Sequence, residues 1–308
     1  MKILFSICFA CSLYGQAGKL VAPSLGFAFD PSSHALRRIQ GIPGAALVGT
    51  PVDFGLPVSA AYVAPHLDSA FVLAADGQLH LFRLGADAPQ ERSLDSLGSP
   101  LRVVYSLAGS AAALYSPGSV KIVKGLPDAP AVAATIRVSV DSRSRRPLPG
   151  ALAVSDDGAY LLYSAGGPVE LIGVAGDSRK ILENAAGALA AFAPGNHDAA
   201  IVYSGKLILY QDIAGAATER TFDGVTTPSA MAFSPDTQKL FVASTTGRAV
   251  TSVQVATGER SALACDCTPA NLVPMGSVFR LTELGSEPLW LLDTASNRVV
   301  FVPAPVAN

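Results

Sequence analysis

Residues 229–264 read SAMAFSPDTQKLFVASTTGRAVTSVQVATGERSALA. Four short segments, SAMAFSP, KLFVAST, AVTSVQV and ERSALA, are separated by Ser234-Pro235-Asp236, Thr245-Thr246-Gly247 and Ala256-Thr257-Gly258. Runs this short, bounded by Gly, Pro and Asp, read as strands joined by tight turns. The first three are largely apolar and the fourth opens on charge. A unit of four strands with no window for a helix is one blade of a β-propeller, provided that it recurs.

It recurs. Counterparts of KLFVAST are SAFVLAA (69–75), AAALYSP (111–117), AYLLYSA (159–165), AAIVYSG (199–205) and VFRLTEL (278–284). The preceding strands align on Ala60, Arg102, Ala151, Leu189, Ala230 and Asn271, in steps of 42, 49, 38, 41 and 41. Third strands start near Gln78, Ser119, Pro168, Lys206, Ala249 and Pro288. Polar fourth strands start at Glu91, Ser178, Thr218 and Glu259, and charge there protects an outer edge from pairing with other chains. Six units therefore follow Ser59. Residues 20–56 hold LGFAFD, ALRRIQG and AALVG, most of one more blade. The expected fold is all-β: a single propeller over 18–308, with four-stranded blades. Seven blades are expected, with six as the alternative. The N- and C-terminal segments are expected to close the ring by pairing in one blade.

The chain of 308 residues is 50% hydrophobic but only 15% charged, with a net charge of −2. No global field is available to attract nucleic acid. Met1-Lys2, the apolar stretch 3–14 and the small residues Gly15-Gln16-Ala17 read as a secretory signal peptide over 1–17. A lipoprotein signal ending at Cys11 is the alternative. The apolar stretch is shorter than the roughly 20 residues a membrane span needs, so no membrane span is expected. The mature protein is then periplasmic or extracellular, and expected to be a monomer. It keeps two cysteines, Cys265 and Cys267, which alternation would aim at one face of an extended segment. A disulfide and a pair of free thiols both remain open.

The alignment of 230–236, 239–244 and 253–259, with Ala153-Val154-Ser155-Asp156-Asp157-Gly158, resembles the WD40-like and YVTN-type propellers of bacterial exported proteins. The resemblance covers about 59–303 and lies in the repeat. It lacks the Gly-His and Trp-Asp dipeptides of true WD40 units, and the one tryptophan is Trp290. It implies a propeller and leaves function open, because such propellers serve as scaffolds, receptors and enzymes.

Chemistry is sparse. His34, His66, His80 and His197 stand apart, without ligand spacing to Cys or to each other. Asp156-Asp157-Gly158 reads as a turn, not as a carboxylate pair. No catalytic residue, cofactor or metal is expected. The insertion DSRSRRPLP (141–149) gives Arg143, Arg145 and Arg146, with Arg137 upstream, as a contact patch for an unknown protein or polymer. The sequence thus suggests an exported, non-catalytic binding scaffold. The alternative is a lactonase- or hydrolase-like enzyme with its site in the central channel.

Overall fold

The computed structural model describes residues 23–85, 88–94, 97–140 and 148–304. They form seven antiparallel sheets arranged as a seven-bladed β-propeller. In every blade the strands follow chain order, so each blade is a meander from the axis outward. The inner strands are Ser24–Asp30, Val58–Val63, Arg102–Tyr105, Ala151–Val154, Leu189–Phe192, Pro228–Phe233 and Val273–Met275.

Alternation along the strands builds the core. In blade 4, Leu152, Val154, Leu161 and Tyr163 pack against blade 3, while Ala153 and Leu162 pack against blade 5. A strand buried on both faces needs apolar residues at successive positions. This is why AYLLYSA reads as one apolar run rather than an alternation. The same division gives seven apolar clusters, one at each interface between adjacent blades. The seventh joins blade 1 (Leu25, Ala28, Ile39, Ala46) to blade 7 (Met275, Val278, Leu289, Leu291, Val302) and closes the ring.

Closure differs in detail from the expectation. Among the described residues the N- and C-terminal segments do meet, but they do not share a sheet. Blade 1 has three strands among the described residues, Ser24–Asp30, Ala35–Ile42 and Ala45–Pro51. Blade 7 takes its outer strand, Arg298–Val302, from its own end of the chain. Face-to-face packing does the work expected of strand pairing. It demands close approach at Gly26, where a Cβ would lie 2.1 Å from Met275 Cγ.

The turns contribute specific polar contacts. Ser155 Oγ donates to Asp157 Oδ1 (2.6 Å) and accepts from the Tyr160 amide (3.0 Å). Ser234 repeats this with Asp236 (2.6 Å) and the Lys239 amide (2.9 Å). This explains the repeated Ser-x-Asp after the inner strands. Asp156 reaches sideways instead. Its carboxylate accepts from the amides of Ala108 in blade 3 (2.9 Å) and Gly195 in blade 5 (2.7 Å), tying three blades together. The Asp-Asp pair is therefore a turn, as read, with an added inter-blade clamp. Arginines strap further joints through carbonyls: Arg102 to Pro149 (3.2 Å), Arg220 to Ala256 (2.7 Å) and Arg179 to Ile213.

Three strands depart from the sequence reading. The inner strand of blade 7 begins at Val273, two residues after the aligned Asn271, and the amides of Ala270 and Asn271 share one acceptor, Leu281 O (both 3.1 Å). The outer strands of blades 3 and 7, Ala131–Arg137 and Arg298–Val302, were not picked out among the polar fourth strands, and they are largely apolar.

Candidate functional site

The seven inner strands surround a central channel with a cavity of about 410 Å³. Each inner strand pairs with one neighbour only, so its other edge is free. Its unpaired backbone N–H and C=O groups can therefore bond water or a ligand. The side chains along the wall are mainly Ala, Val, Leu, Phe and Met.

Polar side chains gather where the inner strands begin. Arg102 and Asn271 come from blades 3 and 7. Arg280 lies across the ladder from Val273, at the start of the blade 7 inner strand. Glu283 is the one carboxylate among the described lining residues, and both of its oxygens are engaged. Asn271 Nδ2 donates to Oε1 (3.0 Å) and Arg280 Nη1 donates to Oε2 (2.7 Å). Arg280 therefore balances Glu283.

Arg102 has no such balance. Its one hydrogen bond goes to the neutral carbonyl of Pro149, and no carboxylate pairs with it among the described residues. Burial pushes its pKa down, and Tyr62 beside it opposes that shift. The described lining residues thus carry one uncompensated positive charge. Burial in turn pushes the Tyr62 hydroxyl up from its ordinary value of 10.0, with Arg102 opposing it, and burial likewise raises Tyr105. Both phenols stay protonated at neutral pH, so neither is a ready base.

Those residues picked from the sequence that are described fall elsewhere. Arg137 ends the outer strand of blade 3, on the rim and far in the blade from the channel edge. Arg143, Arg145 and Arg146 lie outside the described residues. Cys265 and Cys267 are joined as a disulfide in the link between blades 6 and 7, with Cα atoms 5.0 Å apart. Both are buried in the cluster between those blades, so they staple a joint. The histidines remain scattered. His80 pairs with Glu91 (2.7 Å) and His197 with Asp157 (3.0 Å), in separate blades. No group of three or more His, Cys, Asp or Glu able to hold a metal occurs among the described residues.

Arg102 was not singled out from sequence, yet a signal existed. Of the aligned positions Ala60, Arg102, Ala151, Leu189, Ala230 and Asn271, it is the one that carries charge. No helix among the described residues is long and apolar enough to cross a membrane.

No family model and no curated protein matches the chain by sequence. Solved structures match it by shape. A proposed 6-phosphogluconolactonase from Bacteroides fragilis superposes with a TM-score of 0.59 at 15% identity, covering 91% of this chain and 95% of that one. Apo AztD from Citrobacter koseri gives 0.57 at 14% identity, covering 91% and 94%. Hydrazine synthase from Kuenenia stuttgartiensis gives 0.56 at 14% identity, covering 96% and 100%. At these identities the likeness is one of fold. By its own sheets and by these neighbours, the chain is a seven-bladed β-propeller.

Proposed function

We propose that this chain is an exported, non-catalytic propeller of the bacterial YVTN type that binds its partner without transforming it. One observation carries the reading. The channel's cavity of about 410 Å³ falls in the size range of ligand sites, but its one carboxylate among the described lining residues, Glu283, is held at both oxygens by Asn271 and Arg280. A general base must be free to take a proton within hydrogen-bond reach of the substrate. Glu283 is committed to structure instead, and both channel tyrosines are held protonated. The leader-like sequence over 1–17 supports export to the periplasm or beyond, as a monomer that displays its rim and its two faces to a protein or polymer.

The test sets turnover against binding. Purified mature protein is incubated with γ- and δ-lactones and simple esters, and acid release is followed by pH-stat. The proposal predicts release no faster than in buffer. Saturable hydrolysis that is lost in Glu283→Gln would establish the lactonase- or hydrolase-like alternative and overturn it.

A further inference from the structure

We infer that the central channel binds a small amphiphilic monoanion, an apolar acyl or aryl body bearing one carboxylate, with Arg102 as the anchor of its charged end. The inference deepens the binding reading above and rests on it.

Three observations converge. First, Arg102 lies on the wall of the 410 Å³ cavity with a neutral carbonyl as its one hydrogen-bond partner among the described residues. A guanidinium has five N–H donors in a planar fork, so most of its bonding capacity is unmet by the described residues. A cation withdrawn from water without a counter-charge is unfavourable, and an anion placed against it removes that penalty. Carboxylate and phosphate both match the fork in two parallel bonds, and the charge and wall described next select the carboxylate.

Second, the charge count of the lining favours a single negative charge. Glu283 is already matched by Arg280, which leaves Arg102 as the one open charge among the described lining residues. A dianion would bring a second charge with no partner.

Third, the rest of the wall suits an apolar body. Phe29, Val104, Met231 and Val273 are partly exposed and line the cavity. Removing such surface from water favours binding. The free inner-strand edges supply hydrogen bonds for the headgroup's remaining lone pairs. Tyr62, next to Arg102, offers a protonated hydroxyl to the same end.

The recurring strap of arginine to a neighbouring carbonyl is the competing account of Arg102. Arg179 and Arg220 make such straps too. They emerge on outer strands, whereas Arg102 opens onto the channel. A strap alone predicts loss of stability on removal. An anchor predicts loss of ligand with little loss of stability.

The test is calorimetric titration of the mature protein with 4-phenylbutyrate, 4-phenylbutanamide and inorganic phosphate, for wild type, Arg102→Lys and Arg102→Met. The expected result is saturable binding of the carboxylate, with the amide and phosphate each at least about tenfold weaker. Arg102→Met should lose the carboxylate by a similar factor, Arg102→Lys should keep part of it, and both should unfold within a few degrees of wild type. Equal affinity for acid and amide, tight binding of phosphate alone, or no carboxylate binding would each overturn the inference. So would Arg102→Met behaving as a broken strap, strongly destabilised with its carboxylate affinity unchanged. Lactone hydrolysis in the earlier assay would overturn the non-catalytic reading alone, since a hydrolase must also hold the acid it releases. Absence of both turnover and carboxylate binding would refute only the present inference.

Discussion

Replacing Gly26 with valine should open the ring at its closing joint. The inner strand of blade 1 passes so near blade 7 that a Cβ at position 26 would lie 2.1 Å from Met275 Cγ and 2.4 Å from Sδ. Met275 cannot simply swing away. It is 2% exposed and packed among Leu25, Ile39, Val278 and Leu289. Overpacking of a filled core costs about 1–3 kcal/mol, and a branched side chain against a methionine stem belongs at the upper end. Met275→Ala alone leaves a cavity and should cost about 2–3 kcal/mol. Combined, the changes should partly relieve each other, because the added methyls occupy the space the methionine vacates. The double variant should be more stable than the sum predicts by about 1–3 kcal/mol. Urea unfolding followed by far-UV circular dichroism measures each corner of the cycle. In thermal scans each kcal/mol should appear as about 2 °C for a chain of this size. Additive effects, within about 0.5 kcal/mol, would refute the reasoning, because residues that do not touch do not couple.

Asp156→Ala should loosen the joints among blades 3, 4 and 5 by about 2–3 kcal/mol, since two backbone amides lose a charged acceptor, and Asp156→Asn should keep part of the loss back; thermal unfolding reports both. The acid limb of stability should depend on Asp30. Burial works to raise its pKa, but hydrogen bonds from Ser32, Ser33 and Arg37 together outweigh it and hold the carboxyl well below 3.8. Its folded pKa being depressed, its contribution is present above about pH 4 and fades as pH falls through the folded value. Asp30→Asn should therefore lower the melting temperature at pH 7 and make it less sensitive to acid below pH 4; an unchanged acid limb would count against this. Reducing the Cys265–Cys267 bond should cost only about 1–2 kcal/mol, because the loop it closes is so short. An intact mass short of the dithiol by two hydrogens, lost on reduction, checks the bond itself.

Much of the scaffold was legible because burial on both blade faces writes itself as short apolar runs. Leu161, Leu162 and Tyr163 serve two interfaces at once, and so stand out as a run. The Ser-x-Asp turns were legible for a different reason, since Ser155 and Asp157 bond each other within three residues. What escaped was non-local. Pairing of the termini in one blade was a reasonable expectation from edge chemistry, but closure depends on Gly26 meeting Met275 across the whole length of the chain. The outer strand Ala131–Arg137 was missed because it carries no flag of charge at its start. Arg102 looked like one ordinary residue in LRVVYSL. Its isolation exists only once seven strands stand around it and none contributes a carboxylate to it.

Ligand binding in the channel, as proposed, can be read at the protein's methionines. The chain has three methionines, Met1 ahead of the described residues and two within the fold. Met231 lines the channel wall, and Met275 sits in the closing joint beside it. Methyl NMR of mature protein labelled at the methionine ε-carbon should give two resolved signals. Titration with 4-phenylbutyrate should move the Met231 signal saturably, and the same titration of Arg102→Lys should need more ligand for the same shift. A Met231 signal that stays still while calorimetry records binding would place the ligand outside the channel and contradict the account.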